Sequence, residues 1–113
     1  MPVGPFMLWP GVYRVGGGVS APRLISSQPP EYSDEARLAG IEGEILVQIA
    51  VGEDGMPRVY SVIDRLGYGL AAKAIECVHR WRFSPGTLNG KPVRVAATVQ
   101  VSFRLQPLQI GSR

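Results

Sequence analysis

Residues 93–105 read Val93-Arg94-Val95-Ala96-Ala97-Thr98-Val99-Gln100-Val101-Ser102-Phe103-Arg104-Leu105. Every odd position is apolar, and Arg94, Thr98, Gln100, Ser102 and Arg104 alternate with them. A period of two marks a strand with one buried face. At about twice the usual strand length, this one is unusually long. Working upstream, Asn89-Gly90 makes a tight turn and Phe83-Ser84-Pro85-Gly86 a terminator. Before them, Leu70 to Trp81 is helical in pattern. Leu70, Ala71, Ala74, Ile75, Cys77, Val78 and Trp81 share one arc, while Lys73, Glu76, His79 and Arg80 share the other.

Further upstream, Glu44 to Val51 alternates again, with Ile45, Val47, Ile49 and Val51 on one face. Gly52-Glu53-Asp54-Gly55 holds an Asp-Gly hairpin signal, so Arg58 to Ile63 returns antiparallel, and Pro57 places that return at an edge. Ser33 is an N-cap with Asp34 and Glu35 behind it, and Gly40 is a stop. They bound a helix, Asp34 to Ala39, that is too short to stand alone and must dock. Residues 1–26 are broken by Pro5, Pro10, Gly16-Gly17-Gly18 and Pro22. They read as an extended arm or linker, with short edge strands at Val12–Val15 and Arg23–Ile25. The domain proper runs over 27–106, and 107–113 is a flexible tail.

The whole chain has 113 residues, enough for one domain. Hydrophobic residues at 45% against 19% charged allow a core. One cysteine, Cys77, excludes an internal disulfide and a CxxC zinc site, and one histidine, His79, leaves little for a metal cage. No run approaches the roughly 18 apolar residues of a membrane span. The start, with only Phe6-Met7-Leu8-Trp9 apolar and no basic flank, is a poor signal peptide. No nucleophile–base pair or cofactor motif is present, so neither an enzyme nor a cofactor is expected. Charge is uneven: +2 over residues 1–28, −5 over 29–78 and +6 over 79–113, with no acid in the first or last of these. The basic end admits an anionic partner, but the polar face Arg94, Ala96, Thr98, Gln100 lacks the interleaved aromatics of a nucleic-acid platform.

The element order is helix–strand–strand–helix–strand. It predicts an α+β fold in which two helices pack on one face of a three-stranded mixed sheet. The last strand lies beside the first and antiparallel to it. It is then both the longest strand and an edge, with an unpaired row of N–H and C=O groups. Such an edge recruits a strand from a partner, from the arm or from a second copy, so a homodimer is among its expected states. Proline at Val99 or Val101 is expected to remove an edge donor.

Several anchors in order resemble the TonB C-terminal family. They are Pro30-Glu31-Tyr32 with Ala36-Arg37 and Gly40, Gly43-Glu44-Ile45-Leu46-Val47 with Asp54-Gly55, Ala74-Ile75 with Trp81-Arg82-Phe83-x-Pro85, and Gly90-Lys91-Pro92-Val93 leading to Val101-x-Phe103. Ser33 stands where the family usually has proline, and Gln28 lies one place earlier than the family's glutamine. The resemblance covers roughly Pro22 to Leu105 and implies a periplasmic domain that couples an inner-membrane proton-motive-force complex to a TonB-dependent outer-membrane transporter. The family's N-terminal membrane anchor and Pro-rich spacer are not seen in this sequence, so the chain reads as the receptor-binding end. The resemblance implies strand addition of the transporter's TonB-box peptide at the last strand. Its expected partner-binding residues are Gln28, Pro30, Tyr32, Val95, Ala97, Thr98, Val99, Gln100, Val101, Ser102 and Phe103. The competing reading is a self-associating or cell-wall-binding interaction domain that uses the same edge without a transport role.

Overall fold

A computed structural model describes residues 7–9 and 11–105; the rest of the opening stretch and the tail from Gln106 lie outside the described residues. The centre of the fold is a three-strand core of β4 (Gly43–Val51), β5 (Pro57–Ile63) and β9 (Val95–Phe103). β4 lies between the other two and is antiparallel to both. This is the arrangement expected from the element order, with Pro57 on the edge strand.

The sheet is larger than expected. Two short strands of the arm, β1 (Met7–Trp9) and β2 (Val12–Tyr13), form an antiparallel pair. They extend the sheet to five strands in the order β1-β2-β9-β4-β5. A third arm strand, β3 (Arg23–Ser26), pairs with β6 (Arg82–Ser84), and β7 (Thr87–Leu88) pairs with β8 (Lys91–Pro92) across Asn89-Gly90. The arm is therefore paired with the domain rather than trailing from it. Val12 and Val19 are its buried anchors.

The helices form as the caps dictate. In α1 (Asp34–Ala39) the Ser33 Oγ accepts from the Ala36 N–H at 3.1 Å, and Gly40 closes the helix in a left-handed conformation. Only Ala36 of α1 is buried, and it docks into the main core. α2 (Leu70–His79) ends two residues before the sequence pattern does. The Arg80 and Trp81 N–H groups turn back to the Cys77 and Val78 carbonyls, and the chain then leaves the helix to become β6. Trp81 stays on the buried side after the turn. Ile45, Val47, Ile49 and Val51 of β4 meet Leu70, Ala74, Cys77 and Val78 of α2 and Val101 and Phe103 of β9 in one core. Both helices thus cover the same face of the sheet.

The β4–β5 hairpin tip is tied to β6. The Phe83 N–H donates to the Gly55 carbonyl at 2.9 Å. Gly55 has φ +82°, and a Cβ there would sit 2.1 Å from the Phe83 carbonyl oxygen. Both the backbone angle and the lack of space demand glycine. Gly55→Ala should therefore cost about 2–4 kcal/mol of stability, read as a lowered urea midpoint with an unchanged slope.

Candidate functional site

The outer margin of β9 is the candidate site. β2 runs parallel to β9 and meets it at the single pair Tyr13↔Val95. There the Tyr13 N–H donates to the Arg94 carbonyl at 2.8 Å. That bond fixes the parity of the strand. Backbone groups of successive strand residues point to opposite sides. Since Arg94 faces β2, the N–H and C=O of Thr98, Gln100 and Ser102 face outward, and those of Val95, Ala97, Val99, Val101 and Phe103 face β4. The register with β4 runs unbroken from Gly43↔Phe103 to Val51↔Val95, so the parity holds along the strand. Beyond Val95, no strand pairs with the outer margin among the described residues.

The same alternation sorts the side chains. Val95, Val101 and Phe103 are buried, Ala97 and Val99 are half-buried, and Thr98, Gln100 and Ser102 are exposed. The outward-facing residues of β9 therefore carry both the unpaired backbone groups and the accessible polar side chains. One expectation changes in consequence. A proline at Val99 or Val101 would break the ladder to β4 instead of removing an edge donor, because odd residues bond inward. The position that removes an outward donor is an even one, such as Gln100.

The segment from Gln28 to Tyr32 is held near the far end of this strand by its backbone and by one ring. The Gln28 carbonyl accepts from both the Cys77 Sγ and the Trp81 Nε1, each at 3.2 Å, while the Gln28 side chain is exposed. Pro30 is half-buried. The Tyr32 ring packs edge-on against Phe103, with centroids 5.6 Å apart, and its hydroxyl donates to the Ile41 carbonyl at 2.7 Å. Tyr32 thus plugs the core at the end of β9. The Glu31–Lys73 pair beside it, at 3.9 Å with Glu31 exposed and Lys73 half-buried, adds little. At the opposite end of the margin, Arg14 and Val15 follow β2 and, with Ala96, Ala97 and Thr98, border a cavity of about 310 Å³. These two arm residues were not expected at the site. The stretch Val12–Val15 reads as a strand, but four residues carry no register.

Cys77 and Trp81 are buried, and His79 is exposed on α2. Among the described residues, no three His, Cys, Asp or Glu side chains gather as a metal-ligand set. No helix among them is long and apolar enough to cross a membrane.

The family model described as the Gram-negative bacterial TonB protein C-terminal matches residues 28–105. The chain belongs to the TonB C-terminal family. Its match to Protein TonB of Vibrio cholerae serotype O1 is 32% identical over 90 residues, or 78% of this chain and 37% of that protein. Protein TonB of Xanthomonas campestris pv. campestris is 30% identical over 78 residues, or 68% of this chain and 35% of that protein. The chain thus spans little more than a third of the length of these TonB relatives. The solution NMR structure of the Pseudomonas aeruginosa TonB CTD superposes with a TM-score of 0.53 at 22% identity, covering 84% of this chain and 95% of that one. At that identity the likeness shows the fold of a TonB C-terminal domain. The arm strands β1, β2 and β3 all precede the region that the TonB family model matches.

The donor from Cys77 to Gln28 gives the TonB-like core a measurable pH response. Burial raises the Cys77 thiol above its ordinary value of 9.0, against smaller opposing effects of Trp81 and Arg80. A thiol held protonated in the folded chain ionises first in the unfolded chain. Its stabilising effect is intact below the ordinary value and is lost as pH rises through the folded one. Cys77→Ala should cost about 1 kcal/mol at neutral pH yet lose stability less steeply than the native chain as pH rises above the ordinary thiol value of 9.0. Urea unfolding across that range is the check.

Proposed function

We propose that this domain acts in the periplasm, gripping a short segment of an outer-membrane transporter as an added strand on the Thr98–Ser102 margin. In this reading it passes on the pull of an inner-membrane proton-motive-force complex. The observation that carries the reading is the outer margin of β9, which beyond Val95 pairs with no strand among the described residues, in a member of the TonB C-terminal family. Strand addition to an exposed edge draws affinity from main-chain hydrogen bonds and specificity from alternate side chains. Three outward residues offer six backbone groups, or about 6 kcal/mol at ~1 kcal/mol each. Micromolar affinity requires about 8 kcal/mol. Side-chain contacts supply the difference, with Thr98, Gln100 and Ser102 on the strand and Gln28, Pro30 and Tyr32 at its far end as the candidates. Val95, Ala97, Val99, Val101 and Phe103 take part by holding the strand on β4. A modest affinity suits a link that must form and release repeatedly.

The test is amide NMR titration with short peptides from candidate transporters. Shifts should concentrate at Thr98, Gln100 and Ser102, with a smaller set near Pro30 and Tyr32. Gln100→Pro removes an outward N–H and leaves the β4 ladder alone, so the variant should fold and bind at least about tenfold more weakly. A folded Gln100→Pro chain that binds as tightly as the native one would sink the strand-addition reading.

A further inference from the structure

A cavity of about 520 Å³ lies at the hairpin end of β4. Ile45, Val47, Ile49 and Val51 pack toward the helices, so Ala50 turns to the opposite face of the sheet, where it is 2% exposed and floors the cavity. Arg58 of β5 pairs directly across from Ala50. Arg94 precedes Val95, the partner of Val51, and so stands level with Gly52 on the other flank. The two arginines are two strand spacings apart, about 10 Å, and the chain between them contributes one methyl group and a glycine. Both are exposed, and both line the cavity. A bulge opposite Gln48 and Ile49 turns Tyr60 onto the same face. Tyr60 already has an interaction within the chain and serves as a wall.

The hairpin end of the cavity is acidic. Asp54 accepts from the Met56 N–H at 3.0 Å, and that turn holds its Oδ1 2.8 Å from where a Cβ on Gly52 would stand. Glu53 lines the cavity beside it. Cations and carboxylates thus share one recess, yet among the described residues no ion pair joins Arg58 or Arg94 to Glu53 or Asp54. Opposite charges held in one recess without meeting suit a ligand that carries both. A planar carboxylate offers its two oxygens to one guanidinium fork, whereas a phosphate has oxygens for forks arriving from both flanks. We infer that this cavity binds a phosphate ester bearing a primary amine, of the phosphoethanolamine class, with its phosphate between Arg58 and Arg94 and its ammonium toward Asp54 and Glu53. The site does not include Thr98–Ser102 and does not depend on strand addition there.

The test titrates the full chain by amide NMR with three probes: glycerophosphoethanolamine, glycerophosphoglycerol, which lacks the amine, and ethanolamine, which lacks the phosphate. The first should shift amides in residues 50–58 and at Arg94 at about millimolar concentration. It should bind about threefold or more tightly than either of the others at low salt, and the difference should fade near about 0.5 M salt. Arg58→Gln and Arg94→Gln should each weaken it about threefold or more, and Glu53→Gln should bring it close to glycerophosphoglycerol. Lys91→Gln, outside the cavity, should change nothing. Nanodiscs with and without phosphatidylethanolamine separate the sources: the same shifts on the former alone assign the group to a lipid, and shifts with the soluble ester alone assign it to a free compound. Equal binding of glycerophosphoethanolamine and glycerophosphoglycerol overturns the zwitterionic ligand. Absence of shifts at these amides with every probe and nanodisc, or binding that survives both arginine substitutions in folded chains, overturns the site.

Discussion

The nine-pair ladder between β4 and β9 is the constraint on which everything else rests. It joins residues 43–51 to residues 95–103, so the sheet cannot exist until two distant parts of the chain have met. Its register is strongly specified. A slip of one residue would turn Ile45, Val47, Ile49 and Val51 away from the helices, exposing four side chains that are fully buried. The same register decides which backbone groups of β9 are spent on β4 and which remain. Core packing and the open margin are therefore two results of one alignment.

Around that ladder the smaller parts act as braces. The Gln28 carbonyl takes two donors, a thiol and an indole, and so pins an extended Pro-rich segment to the end of α2. Tyr32 then reaches from that segment to Phe103, at the close of β9. At the opening of β9 the arm does the equivalent work through Tyr13 and Arg94. The strand is fixed at both ends by elements from the first third of the chain, and among the described residues no strand pairs with the outer side of its middle.

Much of this was readable from residue order. The long alternation of Val93 to Leu105, the Asp54-Gly55 hairpin, the Ser33 cap and the apolar arc of Leu70 to Val78 each act within a few residues, and each appears where its local chemistry puts it. The family anchors added the expectation of strand addition at the last strand. What stayed hidden was set at long range. Tyr13 pairs with Val95 across most of the chain, and nothing in Val12–Val15 announces that partner. β6 has three residues, too few to show a period, and exists because β3 lies beside it. α2 stops at His79 because the chain must turn to keep Trp81 on the buried side and to place Phe83 against Gly55. The parity of β9 followed from one hydrogen bond that no pattern of side chains could reveal.

That parity has a consequence for how such a surface can change over generations. At Thr98, Gln100 and Ser102 the side chains lean into solvent while the main chain offers its donors and acceptors sideways. Replacing any of the three alters what a visiting segment feels and scarcely touches the interior. At Val95, Val101 and Phe103 the reverse holds. One strand thus carries two separately tunable properties on alternate residues, so selectivity is free to drift while the scaffold stays as it is.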